Sequence, residues 1–121
     1  MLDIKNIFDL KGRYFGDGKW LITNIFDSFD DKEGSENKGQ PYYNFKIKPH
    51  KYGTETISEF RIYKPPLINI DGSVLGYRGH LYYKNYETLI FSGYIPPETI
   101  KDPVLLFDKI AKLLNEEHNK K

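Results

Sequence analysis

Residues 77–97, Tyr-Arg-Gly-His-Leu-Tyr-Tyr-Lys-Asn-Tyr-Glu-Thr-Leu-Ile-Phe-Ser-Gly-Tyr-Ile-Pro-Pro, restrict the possible folds more than any other stretch. Two runs rich in aromatic and β-branched residues flank Lys84-Asn85, and Asn accepts the positive φ that a tight two-residue hairpin turn demands. The expected register pairs Tyr83 with Tyr86, Leu81 with Thr88 and Gly79 with Ile90 on one face. On the other it pairs Tyr82 with Glu87, His80 with Leu89 and Arg78 with Phe91. Both faces then carry apolar groups, so one must meet a helix and the other a partner or the second half of a barrel. Pro96-Pro97 ends the unit, because proline cannot donate to a ladder.

The rest of the chain supplies partners for such a hairpin. Residues 42–48 alternate, with Tyr43, Phe45 and Ile47 inward and Tyr42, Asn44, Lys46 and Lys48 outward. Residues 56–63 form another strand, with Phe60 and Ile62 on one parity and Ile57, Glu59, Arg61 and Tyr63 on the other. In residues 19–29 the apolar side chains change parity, Trp20, Ile22 and Phe26 against Leu21, Ile25 and Phe29. That requires covering on both faces or a bulge that resets the phase. Residues 13–15 make a short strand turning at Asp17-Gly18. Pro65-Pro66 places a crossing segment at 65–72, followed by a turn at Asp71-Gly72.

Two helices complete the pattern. Ile4, Ile7 and Phe8 lie on one side of a short helix over residues 3–10, capped by Asp3. At the other end Asp102 is an N-cap and Pro103 suits the first helical position. Leu106, Phe107, Ile110, Leu113 and Leu114 form one stripe of a helix from Asp102 to Asn115. The expected fold is α+β: a curved antiparallel sheet of five to six strands, open or partly closed into a barrel, with a short N-terminal helix and a C-terminal amphipathic helix packed on it. At 121 residues the chain is expected to form one domain, with an exposed acidic loop at 30–40 and a frayed tail at 116–121.

Composition narrows function by exclusion. There is no cysteine, so disulfides and thiolate metal sites are impossible and a reducing cytoplasm is the expected location. No window approaches the roughly 18 apolar residues of a membrane span, and the first ten residues carry three charges. Net charge is +1, so bulk electrostatics select neither nucleic acid nor an anionic membrane. Charge is nonetheless segregated: residues 27–37 hold five acids against one base, and residues 38–64 hold six bases against two acids. The abundance of Lys, Asn, Ile and Tyr beside a single alanine, Ala111, matches AT-rich coding and points to a bacterial or phage origin.

No catalytic pattern emerges. His50, His80 and His118 lie in no i, i+4 or His-x-His relation, so no metal site and no cofactor is expected. His80 beside Glu87 is the one pairing that could act as a general base in a cleft. The acids at 27–36 lack the spacing of a calcium loop, and the glycines at 12, 16 and 18 precede a strand where a phosphate cradle needs a helix.

Aromatic side chains, 16% of the chain, exceed what such a core can hide, so some must form a recognition surface. The expectation is a small non-enzymatic binding protein, an accessory or inhibitory factor that takes a protein partner on Tyr77, Arg78, Tyr82, Tyr83 and Tyr86. The alternative is a single-stranded nucleic-acid binder using Tyr42, Lys46, Lys48, Lys51, Arg61 and Lys64, since rings interleaved with cations stack bases and track phosphates.

Overall fold

Each strand lies beside its sequence neighbour in the computed structural model, which describes residues 7–31, 33, 34, 38–50, 57–84 and 88–120. A 3-10 helix at Ile7–Leu10 precedes β1 (Tyr14–Phe15), β2 (Trp20–Phe29), β3 (Pro41–Pro49), β4 (Ser58–Ile68), β5 (Val74–Tyr83) and β6 (Thr88–Ile95). The chain ends in α1 (Pro97–Ile100) and α2 (Pro103–His118). The six antiparallel strands form a curled half-barrel in the order β1-β2-β3-β4-β5-β6, the predicted α+β architecture. Of the expected N-terminal helix, residues 3–6 lie outside the described residues.

The mixed parity of β2 resolves as a bulge. Ile22 pairs with Ile47 and Asn24 with Lys46, leaving Thr23 as the extra residue, so Trp20 and Ile22 before the bulge and Ile25 after it all reach the same core. Phe26 is thereby turned outward and is exposed.

Two expectations for the later strands are corrected. The β5–β6 hairpin does not keep the register expected of a Lys84-Asn85 turn, since Tyr83 lies opposite Thr88; Asn85, Tyr86 and Glu87, on which that turn and its first pairs were placed, lie outside the described residues. Tyr83 pairs with Thr88 and Tyr82 with Leu89. A bulge then shifts the phase, so that Leu81 meets Phe91, His80 meets Ser92, Gly79 meets Gly93 and Arg78 meets Tyr94. Lys84 is itself left-handed, with φ 51°. The shift brings Leu81 and Phe91 to the core side and leaves Leu89 exposed.

Pro65-Pro66 does not end β4, which continues to Ile68 through an irregular register in which Pro66 faces Tyr77. This works because β3 stops pairing at Tyr42↔Tyr63. Beyond that point β4 has β5 alone as neighbour, and a proline facing the open side removes no ladder bond.

The core lies between the sheet and α2. Phe107 is its hub, with ring centroids 5.2 Å from Phe15, 5.3 Å from Phe45 and 6.2 Å from Phe60. Leu106, Ile110, Ala111 and Leu114 complete the buried stripe, while Leu113 is half-buried at its border. The cap is as predicted, with Asp102 Oδ1 accepting from the Leu105 amide at 3.2 Å. The helix runs past Asn115 to His118, because this end is tied to the sheet: Trp20 Nε1 donates to Asn115 Oδ1 at 2.8 Å, and His118 Nδ1 lies 3.3 Å from the Tyr83 hydroxyl. Gly79 lacks the Cβ that would meet Ile95 Cδ1 at 2.6 Å, and so lets that side chain cross the hairpin into the core.

Candidate functional site

The face away from α2 carries polar and aromatic side chains in cross-strand rows fixed by the register. One row is Asn44, Arg61, His80 and Ser92; the next is Lys46, Glu59, Tyr82 and Leu89; Tyr42 faces Tyr63 on the other side of Arg61. Tyr42 and Tyr82 are therefore the diagonal neighbours of Arg61 on β3 and β5, within reach of long side chains. The Arg61 guanidinium carbon lies 4.7 Å from the Tyr42 ring centroid and 5.3 Å from that of Tyr82. Both contacts hold the cation in cation–π range and fix all three side chains.

The start of the acidic loop folds back onto this face. Asp30, predicted to be exposed, is buried, and its Oδ2 accepts from the Tyr63 hydroxyl at 3.0 Å. Its amide donates to the Gln40 carbonyl, closing the loop's base. Together these groups enclose a cleft of about 270 Å³. Tyr42, Arg61, Tyr63, His80 and Tyr82 line its floor, and Phe29, Asp30, Asp31 and Glu33 form its wall.

Burial sets the protonation of the site. Tyr63 is 1% exposed, and burial pushes its hydroxyl up to about 12, so it stays a donor to Asp30. His80 is held below the ordinary imidazole value by burial and then by the positive charges of Arg61 and Arg78, with Asp30 opposing them. Its ring packs edge-on to Tyr63 at 5.5 Å and its Nδ1 lies 3.5 Å from the Tyr82 hydroxyl. A neutral imidazole here can accept a proton or a hydrogen bond from a group entering the cleft.

Glu59 is 4% exposed and forms an ion pair with Lys46, with Asn44 Nδ2 3.4 Å from its other oxygen. Burial raises the Glu59 carboxyl, opposed by the Asn44 hydrogen bond and Arg61. Burial and Arg61 lower the Lys46 ammonium.

The two residue sets named from sequence do not stay separate. Arg78 and Tyr82 share the outer parity of β5, but Tyr77 and Tyr83 are packed in the core on the opposite face, so the predicted tyrosine surface is split by the strand's own alternation. From the alternative set, Tyr42 and Arg61 join Tyr82 in one cleft. Lys46 is taken by Glu59, and Lys64 follows Phe60 and Ile62 to the inner parity, where it pairs with Asp27 over the Tyr43 ring. Lys48 keeps the outer parity of β3. Tyr86, Glu87 and Lys51 lie outside the described residues, and the carboxylate facing the cleft beside His80 is Asp30.

Tyr63, Asn44, Glu59 and Asp30 were missing from both sets. The first three were legible as outward positions of β3 and β4; nothing local in the sequence shows that Asp30 turns back to meet Tyr63.

No protein-family model, curated protein or solved structure matches this chain. Among the described residues no helix is long and apolar enough to cross a membrane.

Proposed function

We propose that the protein is a binding factor that takes a protein partner on the outer face of the sheet, in the cleft floored by Tyr42, Arg61, Tyr63, His80 and Tyr82. The observation that carries this reading is the clamp of Arg61 between Tyr42 and Tyr82 on an open cleft. Tyrosine and arginine dominate the energetics of protein interfaces, and rings already held in place lose little entropy when a partner seats on them. The exposed Asp31 on the wall favours a partner that brings a basic side chain to the rim, beside Glu33, which already pairs with Lys38.

Single-stranded nucleic acid is the second reading, favoured by the same rings and guanidinium. The acidic wall weighs against it, as does the engagement of Lys46 and Lys64 with carboxylates, because phosphate tracking needs cations free to displace counterions.

Affinity capture from the source organism with the wild-type chain, Tyr82→Ala and Arg61→Ala separates the two, combined with fluorescence anisotropy on oligo(dT) and oligo(U). The expected result is one protein retained by the wild type and lost by both folded variants, with no oligonucleotide bound at low salt. Oligonucleotide binding that falls steeply with salt and is lost in Arg61→Ala contradicts the proposal and supports the second reading.

A further inference from the structure

A second cleft, independent of the outer-face site, opens between β6 and α2 where the half-barrel is not closed by a further strand. It measures about 200 Å³, and Phe60, Leu81, Phe91, Ile95, Leu106 and Ile110 make its walls. Interiors are ordinarily close-packed, since empty apolar space forfeits dispersion contacts. Beside the phenol of half-exposed Tyr94, two groups break the apolar lining. Thr99, in α1, brings a hydroxyl to a position where its residue is buried, and Lys109, on α2, stands exposed at the mouth. Lys109 makes no ion pair with any described residue.

We infer that this cleft binds a small free amphiphilic anion, such as a medium-chain carboxylate, with its apolar tail between β6 and α2 and its carboxylate on the Lys109 ammonium. Size supports the tail: a dry apolar cavity of about 150 Å³ suffices for benzene, so this space suits a molecule of roughly ten non-hydrogen atoms. Chemistry supports the head, because ligand sites are mostly apolar with a few polar groups that fix orientation, and the cation here is at the entrance where a carboxylate keeps part of its hydration. A neutral apolar molecule gains nothing from Lys109, whereas an anion gains the worth of an exposed ion pair.

The test is a titration of the full chain with octanoate, and separately with 1-octanol, followed by amide chemical shifts. Octanoate is expected to shift resonances of Phe91, Ile95, Thr99 and Ile110 saturably. Lys109→Gln, a surface change that leaves the core intact, is expected to weaken octanoate by roughly two- to fivefold and to leave octanol unchanged. Leu113→Phe, which fills the lip of the cleft, is expected to abolish both. Absence of saturable shifts with octanoate overturns the inference, as does equal octanoate binding by Lys109→Gln and the wild type. Octanoate binding that survives in a folded Leu113→Phe variant refutes the placement.

Discussion

At the scale of single residues the decisive fact is that neighbours on adjacent strands set each other's chemistry. Arg61 is fixed by rings two positions off its own register on both sides, and it in turn helps keep His80 neutral. His80 is a base whose folded-state value lies below its ordinary one, so a proton binds the unfolded chain more tightly. The stability His80 contributes is complete above about 6.5, the free-histidine value, and falls as the pH drops from there through the lowered folded value. Glu59 acts in the opposite sense, since a raised carboxyl binds its proton more tightly in the folded chain and gains stability as the pH falls. An NMR titration of the His80 ring is expected to give a midpoint below the free-histidine value in the wild type and a higher one in Arg61→Gln. A wild-type midpoint at or above the free value contradicts the assigned surroundings. Part of this was legible: alternation put Tyr42 and Lys46 on outward positions and Arg61 on the parity opposite Phe60 and Ile62, while the hairpin, apolar on both faces, left Tyr82 without an assigned side. What alternation could not give was the contact that helps bury Tyr63, because that depends on Asp30 arriving from a loop about thirty residues away in sequence.

Among the elements, the helix and the first hairpin fix each other. Gly16, in the β1–β2 turn, has φ 62°, and a Cβ there would lie 2.6 Å from the Ala111 Cβ and 3.2 Å from Trp20 Cδ1. The chain's one alanine therefore sits where α2 crosses a glycine, and the pair lets Phe107 on the preceding turn reach into the core. Gly16→Ala is expected to destabilise the protein by about 2–4 kcal/mol, from left-handed strain added to overpacking, as read from urea denaturation midpoints. A loss below about 0.5 kcal/mol would show that the helix does not press on this turn. The sequence announced α2 through its cap and stripe, and the turn through Asp17-Gly18, but not that the two touch, since no periodicity links residues 16 and 111. The same limit explains the hairpin: composition located β5 and β6, while a bulge at Leu81–Tyr82 and the pairing of Tyr83 with Thr88 changed which residues face each other.

For the molecule as a whole, the half-barrel gives its two faces different work. The inner face is filled by Phe107 and its neighbours on α2, and the outer face holds preformed polar and aromatic side chains around an open cleft. The expectation that one face meets the helix stripe holds, but with a change of residues: Tyr77 and Tyr83 belong to the core, and Tyr42 and Arg61 join Tyr82 on the outer face. The central claim is that recognition occurs on this outer face, and site-specific photo-crosslinking tests it most directly. With a benzophenone side chain in place of Tyr82 or, on the exposed side of α2, Val104, irradiation in a lysate of the source organism is expected to yield one discrete protein adduct from position 82 and none from position 104. An adduct from position 104 alone, or a nuclease-sensitive adduct from position 82, would contradict it.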